Sequence, residues 1–242
     1  MALQAATDAL HALSNLCRLH ATRAEQAATA GVIPSLVRLS HAYPATLEAP
    51  ALGLLCAMAH ASRRARAELA RHDCGRVYLH LLSRPAGSPW PLAALEALGT
   101  WLASEPWQLE PLLLDGDEPA EALVALAGRH AQAAPPALVR LLDGLTRVTG
   151  HSPRMAQQLA SAGLVPRALE AAGHGDPGVR LGALKLLRAL YEQHPAPKEL
   201  IARHDLANKL GAIAAAERDG DAVLVRSAAQ ALLDALGVND AL

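Results

Sequence analysis

Apolar residues recur along this chain at helical spacing, in runs that alternate between short and long. Met155 and Leu159 form the i, i+4 stripe of a short helix, and Val179, Leu181, Leu184, Leu187 and Leu190 form the buried face of a long one. The punctuation between them is explicit. Ser152 before Pro153 is an N-cap followed by a proline at the first helical position. Gly163 can take the left-handed conformation that ends that helix, and Pro166 restarts the chain at an angle because it lacks a donor. Asp176-Pro177 opens the long helix that follows. The same reading predicts long helices over Asp8–His20, Thr46–Ala61, Leu92–Ser104, Ala137–Val148, Val179–Gln193 and Val223–Leu236. Two short helices precede each long one after the first, giving a repeated order H1–H2–H3.

The unit repeats. Ala30-Gly31-Val32-Ile33-Pro34 returns as Ala162-Gly163-Leu164-Val165-Pro166, 132 residues later, which is three steps of 44. With Leu36 as the register mark, the matching positions are Leu79, Leu123, Ala168 and Leu210, at steps of 43, 44, 45 and 42 residues. Helical units of this period are the signature of armadillo and HEAT arrays. The expectation is an all-α, right-handed, armadillo-type solenoid over residues 1–242, with a partial first repeat at 1–20 and about five repeats of 42–45 residues. Longer loops are expected only at 83–91 and 128–137. Because the chain opens on an H3, Leu10, Leu13 and Leu16 should form an apolar edge. Each fully buried leucine is worth about 1.5–3 kcal/mol, so the edge is expected to be covered by a longer array of which this chain is a piece.

Composition narrows this further. Hydrophobic residues make up 52% of the chain but aromatics only 2%, and phenylalanine is absent. Alanine and leucine must do most of the packing, which suits closely approaching helices and argues against a sheet. The net charge is −1 without a long block of like charges, so a nucleic-acid partner is not expected. The cysteines, Cys17, Cys56 and Cys74, have neither metal nor redox spacing, and an odd count suits a reducing compartment. Met1 to Leu13 has no basic leader and includes Asp8, and no apolar run reaches the ~18 residues that span a bilayer. A soluble cytoplasmic protein is expected.

Motifs for chemistry weaken on inspection. Gly173-His174-Gly175-Asp176-Pro177-Gly178 matches GxGxxG, but a helix precedes it and Pro177 removes an amide, so it reads as a turn between repeats. Cys17 with His20, and Cys56 with His60, are pairs without the third and fourth ligands zinc wants. The acids of 115–121 lack the central glycine of a calcium loop and include Pro119. Serines and histidines show no spacing that unites a hydrolytic triad. No catalytic residue, cofactor or metal is assigned.

A binding face is the better candidate. Armadillo units line their concave side with H3, and those that grip extended basic peptides place Trp and Asn four residues apart there. The corresponding pairs here are His11/Asn15, Gly53/Ala57, Glu96/Thr100, Lys185/Ala189 and Gln230/Asp234, with Asp143/Arg147 as the reading of the 137–148 helix. Only Asn15 fits such a ladder, so a helical or folded partner is expected in place of a basic peptide; the competing reading is a plain solvated face. Arg63, Arg64, Arg66 and Arg71 form a local basic cluster, suited to an acidic protein, phosphopeptide or anionic lipid, or to ordinary solvation. Trp101 falls at a core position of H3, whereas Trp90, placed in the 83–91 loop, is the candidate exposed anchor.

Several stretches are more specific than the repeat pattern: the 13–36 region "LSNLCRLHATRAEQAATAGVIPSL", "LGLLCAMAHASRRARAEL" (52–69), "VYLHLL" (77–82), "RLGALKLLRALYEQHPAPKELIARHDLANKL" (180–210) and "VLVRSAAQALLDALGVNDAL" (223–242). They resemble the C-terminal helical-repeat region of the plant MAP-kinase-kinase-kinase epsilon class and of the fungal septation-initiation and mitotic-exit kinases. The likeness runs in the same order along nearly the whole chain and is weakest at about 106–137. It implies partner binding, a role in cytokinesis signalling, kinase or division-apparatus partners, and placement at a spindle pole or division site. It does not imply catalysis by these residues, since they contain no HRD loop and a DFG motif is impossible without phenylalanine. The expectation is a non-catalytic interaction module. Two alternatives stand beside it: a fragment of a serine/threonine kinase whose catalytic domain lies outside the chain, and a binder of anionic nucleic acid or lipid through the arginine cluster.

Overall fold

The computed structural model describes residues 2–41, 45–85, 87–216 and 223–240. Met1 of the expected partial repeat, position 86 of the 83–91 segment and positions 241–242 of the closing stretch lie outside them. The described residues form helices and no strand. A first helix, α1 (Ala2–Leu19), precedes five triplets: α2 (Ala21–Thr29), α3 (Ile33–Ser40) and α4 (Ala45–Ala61); α5 (Arg63–Arg71), α6 (Cys74–Leu82) and α7 (Trp90–Ser104); α8 (Pro106–Leu113), α9 (Glu118–His130) and α10 (Pro135–His151); α11 (Pro153–Ser161), α12 (Leu164–Ala172) and α13 (Pro177–Gln193); α14 (Pro197–His204), α15 (Leu206–Ala216) and α16 (Val223–Asp240). This is the H1–H2–H3 order of an armadillo-type fold.

Local chemistry explains the breaks. Each H1–H2 joint carries one residue in the left-handed region: Gly31 (φ +85°), Asp73 (+54°), Gly116 (+78°), Gly163 (+99°) and Asp205 (+52°). A backbone that turns there leaves H1 and starts H2 at an angle, and only glycine does so without a Cβ penalty. Aspartate tolerates the region better than most side chains, which is why Asp73 and Asp205, each inside an Arg-His-Asp triplet, can replace glycine. At the H3–H1 boundaries, Ser62 accepts a hydrogen bond from the Ala65 N–H and Ser152 one from the Met155 N–H, both at 3.2 Å. Asp176 caps α13 in the same way through the Val179 N–H, at 3.1 Å.

Several details differ from the sequence reading. The first helix starts at Ala2, well before Asp8, because alanines and leucines precede the aspartate without a breaker. The 128–137 loop shrinks to residues 131–134, since α9 continues to His130 and the prolines at 135 and 136 begin α10. The H2 mark of the second repeat sits one residue earlier, at the fully buried Tyr78, while Leu79 is half-buried. The expected apolar edge narrows as well: Leu10 is buried and Leu13 half-buried, leaving Leu16 and Leu19 exposed at 49% and 70%.

The chain divides into two compact units, Met1–Leu112 and Leu113–Leu242. In the first, α4 packs between α1 and α7, and α2 lies against α5. Its core centres on leucines of α4 and α7 with Met58, Tyr78 and Trp101. The Tyr78 hydroxyl donates to the Leu55 carbonyl at 2.6 Å, and its ring meets the Trp101 ring edge-on at 6.3 Å. The Trp101 indole N–H donates to Gln108 Oε1 at 3.1 Å, so this large aromatic is buried with its polar handle paired. In the second unit, α13 packs between α10 and α16. The approach of α13 to α10 is close enough that a Cβ built on Gly182 would lie 3.2 Å from Leu142 Cδ1. The Tyr191 hydroxyl donates to the Ala235 carbonyl at 3.0 Å, tying α13 to α16.

Candidate interaction surfaces

Burial on the H3 helices α4 and α7 runs most of the way round and leaves a narrow accessible stripe. In the first unit, Leu52, Leu55 and Ala59 of α4 and Leu95, Leu98 and Leu102 of α7 are buried. The positions singled out from the sequence fall on such stripes: His11 and Asn15 of α1 are exposed, and Gly53, Ala57, Glu96 and Thr100 are half-buried. A hydrogen bond of 3.0 Å between Thr100 Oγ1 and His60 Nδ1 links α7 to α4 on this side. In the second unit, Asp143 and Arg147 of α10, Lys185 of α13, and Gln230 and Asp234 of α16 are exposed, and Ala189 is half-buried. Gln230 Nε2 donates to Asp234 Oδ1 at 2.8 Å. Every one of these side chains or glycines is therefore accessible. In the first unit these positions carry one acid, Glu96, beside polar groups, and in the second they carry both signs of charge.

Trp90 requires correction. It is the first residue of α7 and half-buried, with its ring 3.9 Å from where a Gly53 Cβ would stand. Absence of a side chain at Gly53 lets the indole lie across α4, so Trp90 is a packing residue of the H3 side and not a loop anchor. The exposed tryptophan is Trp107 on α8, at 60%. The sequence reading missed it, although its position beside Pro106 at the start of an H1 could have suggested an exposed side chain.

The arginine cluster separates into individual roles. Arg66 is buried and not part of a basic surface. Its Nε donates to Glu105 Oε2 at 2.5 Å, Nη2 to Glu105 Oε1 at 3.1 Å, and Nη1 to the Ala59 carbonyl at 3.1 Å. This two-pronged pair joins α5 to the residue between α7 and α8. Arg71 pairs with Glu68 at 2.6 Å, and Arg64 reaches Glu25 of α2 at 3.5 Å. Arg63 lies over the Trp107 ring, 6.0 Å from its centroid.

The remaining candidates have structural surroundings. His20 leaves α1 and takes an extended conformation, apart from the helix that carries Cys17. Cys56 is buried while His60 is exposed and bound to Thr100. Burial, with Glu96 adding to it, pushes the Cys56 thiol up to about 12, and burial with Asp73 does the same at Cys74. Burial also raises the Cys17 thiol. Such thiols stay protonated and are neither good nucleophiles nor ready metal ligands. Among the described residues, no three His, Cys, Asp or Glu side chains are grouped to hold a metal ion. The 173–178 motif is the turn from α12 to α13: His174 Nδ1 accepts from the Asp176 N–H at 2.9 Å, and Arg180 donates to the His174 and Gly175 carbonyls. In the second unit, small residues (Ala127, Ala131, Ala168 and Ala171) leave a cavity of about 350 Å³ between α9, α10, α12 and α13. No helix among the described residues is long and apolar enough to cross a membrane.

Comparison with known proteins supplies relatives. The chain is 37% identical over 238 residues to MAP3K epsilon protein kinase 1 of Arabidopsis thaliana, covering 96% of this chain and 17% of that protein. It is 33% identical over 229 residues to cytokinesis protein sepH of Aspergillus terreus, covering 93% and 16%. It is 27% identical over 234 residues to cell division control protein 7 of Schizosaccharomyces pombe, covering 96% and 21%. This chain thus spans about a sixth to a fifth of the length of these proteins, and is similar to one region of each. No family profile matches it. Among solved structures, a designed armadillo repeat protein superposes with a TM-score of 0.75 at 18% identity, over 95% of this chain and 92% of that one. Another designed armadillo repeat protein, in complex with the peptide (KR)4, superposes with a TM-score of 0.75 at 14% identity, over 93% and 92%.

Proposed function

We propose that this armadillo-type chain, similar to a region of the MAP3K epsilon kinases and of cytokinesis protein sepH, is a non-catalytic protein-binding module that acts through its H3 faces. The observation that carries the reading is the accessible stripe kept along the H3 helices. The leucines pack inward, while His11, Asn15, Glu96, Thr100, Lys185, Gln230 and Asp234 stay accessible at matching positions. Repeat arrays bind through such extended surfaces, and chemistry needs a convergent pocket instead. Kinase activity is assigned to the rest of a longer polypeptide, because the similarity covers only 17% of the plant kinase.

Partner chemistry follows from the face. It lacks the Trp–Asn array that would hold an extended basic peptide, and its mixed charge favours a helix or folded domain read by polar and apolar contacts. The relatives' names support a partner from kinase signalling at cell division, and a chain that works in the cytoplasm or at the division site. The test is capture from a lysate of the source cells, comparing wild type with Asn15→Ala/Lys185→Glu. Both side chains are exposed, so helicity by circular dichroism should be unchanged. A division-linked kinase or cytokinesis protein recovered by wild type and lost with the variant supports the reading. Equal recovery by both chains contradicts it.

A further inference from the structure

Trp107 lies away from the H3 face and is the large aromatic of the described residues with most of its surface open, at 60%. In a chain with 2% aromatics and no phenylalanine, an exposed indole is a candidate anchor for a partner. Its neighbours form a row across three H1 helices of the first unit. Arg63 of α5 holds its guanidinium over the Trp107 ring of α8, with 6.0 Å from carbon to centroid. Arg64, next in the chain and 82% exposed at its side chain, reaches back to Glu25 of α2 at 3.5 Å. Arg23 of α2 is exposed as well.

The row is braced from beneath. Arg66, on the buried side of α5, fixes Glu105 with two hydrogen bonds, and Glu105 stands two residues before Trp107. The start of α8 is thereby locked to α5, and the indole is held under Arg63. A guanidinium lying on an indole keeps its N–H edges pointing outward and has less freedom to lose when a ligand arrives. Trp and Arg are also the residue types that dominate binding energy at interfaces.

We infer that this H1 ridge is a second docking surface, and that it takes an acidic linear segment of a partner protein. A carboxylate of the segment engages the outward edge of Arg63, and an adjacent aliphatic side chain lies on Trp107. Charge complementarity selects the occupant: Arg63 lies over the apolar platform, and the largely exposed Arg64 follows it in the chain. An anionic membrane is the poorer fit. A flat sheet draws on several basic side chains at once, and here Glu25 and Glu68 are interspersed among the arginines. The surface is separate from the H3 face, so either can fail without the other.

The test uses the 242-residue chain and a fluorescein-labelled peptide of repeated Glu-Glu-Leu triplets, with binding read by anisotropy. Saturable binding is expected, weakened about tenfold or more by Trp107→Ala and by Arg63→Glu. Trp107→Phe should retain most of it. Arg226→Glu, an equal charge change on α16, should leave it unaltered. Native helicity in each variant, read by circular dichroism, separates lost binding from lost fold. Undiminished binding in folded Trp107→Ala overturns the proposal. So does equal weakening by Arg226→Glu, which would mean unspecific charge attraction. Retention of the chain by phosphatidylserine vesicles but not by the peptide, abolished by the same two substitutions, overturns it in favour of a lipid surface.

Discussion

Where α5 meets the end of α7, one guanidinium serves a carboxylate and a carbonyl in a place closed to water. Arg66 has its donors on Glu105 and Ala59, and both charged residues are buried. A buried pair of this kind adds little over a well-packed apolar pair, but removing one partner leaves the other charge stranded. Arg66→Ala is therefore expected to destabilise the chain by about 3–5 kcal/mol in urea unfolding, and Arg66→Met/Glu105→Leu to recover most of that loss. An equally damaging double substitution would contradict the account of this pair. At this scale the sequence was legible where the neighbours are local. Trp101 was placed in the core and Ser152 at a cap, and both readings rest on residues within a few positions. It was not legible for Arg66, whose partner lies 39 residues away, at the far end of the same triplet. Nor was it for Trp90, whose place depends on a missing side chain at Gly53 in another helix.

Among the helices, spacing carries the architecture and glycine carries two opposite duties. At Gly31, Gly116 and Gly163 it supplies a left-handed joint, whereas at Gly182 it lets α13 approach α10. Gly211, inside α15, does neither, and a Cβ built there meets nothing within 4 Å. Gly211→Ala should raise stability by about 0.5–1 kcal/mol, since glycine within a helix costs that much relative to alanine. Gly182→Leu should lower it by about 1–3 kcal/mol, because the built Cβ already stands 3.2–3.3 Å from Leu142 Cδ1 and Cβ. Thermal unfolding of the two variants against wild type checks both, and a stabilised Gly182→Leu would show that α10 and α13 are not closely packed. The long H3 helices were readable because their apolar stripes are long. The joints were half readable: Gly31 and Gly163 announce themselves, but Asp73 and Asp205 carry side chains that ordinarily mark caps and turns of many kinds. The Tyr78 register shifted by one residue because Val77, Tyr78 and Leu79 are all apolar, so periodicity alone could not choose the inward one.

For the whole molecule, the all-α armadillo-type fold follows from the repeat and is matched by designed armadillo proteins at a TM-score of 0.75. The relatives point to division-linked kinases, of which this chain resembles a region of about 17% in the plant protein. What was least legible was which surface does what. The H3 positions could be listed from register, but the H1 ridge at Trp107 emerges only when α5 and α8 are brought together. The measurement that tests the central claim most directly is photocrosslinking to the partner that the wild-type chain captures. A photoreactive residue would replace Asn15, Lys185 or Gln230 on H3 helices, or Arg38, His80 or Lys209 on the H2 helices α3, α6 and α15, all exposed positions. The account predicts covalent adducts from the H3 set and none from the H2 set. Adducts from the H2 positions alone would contradict it.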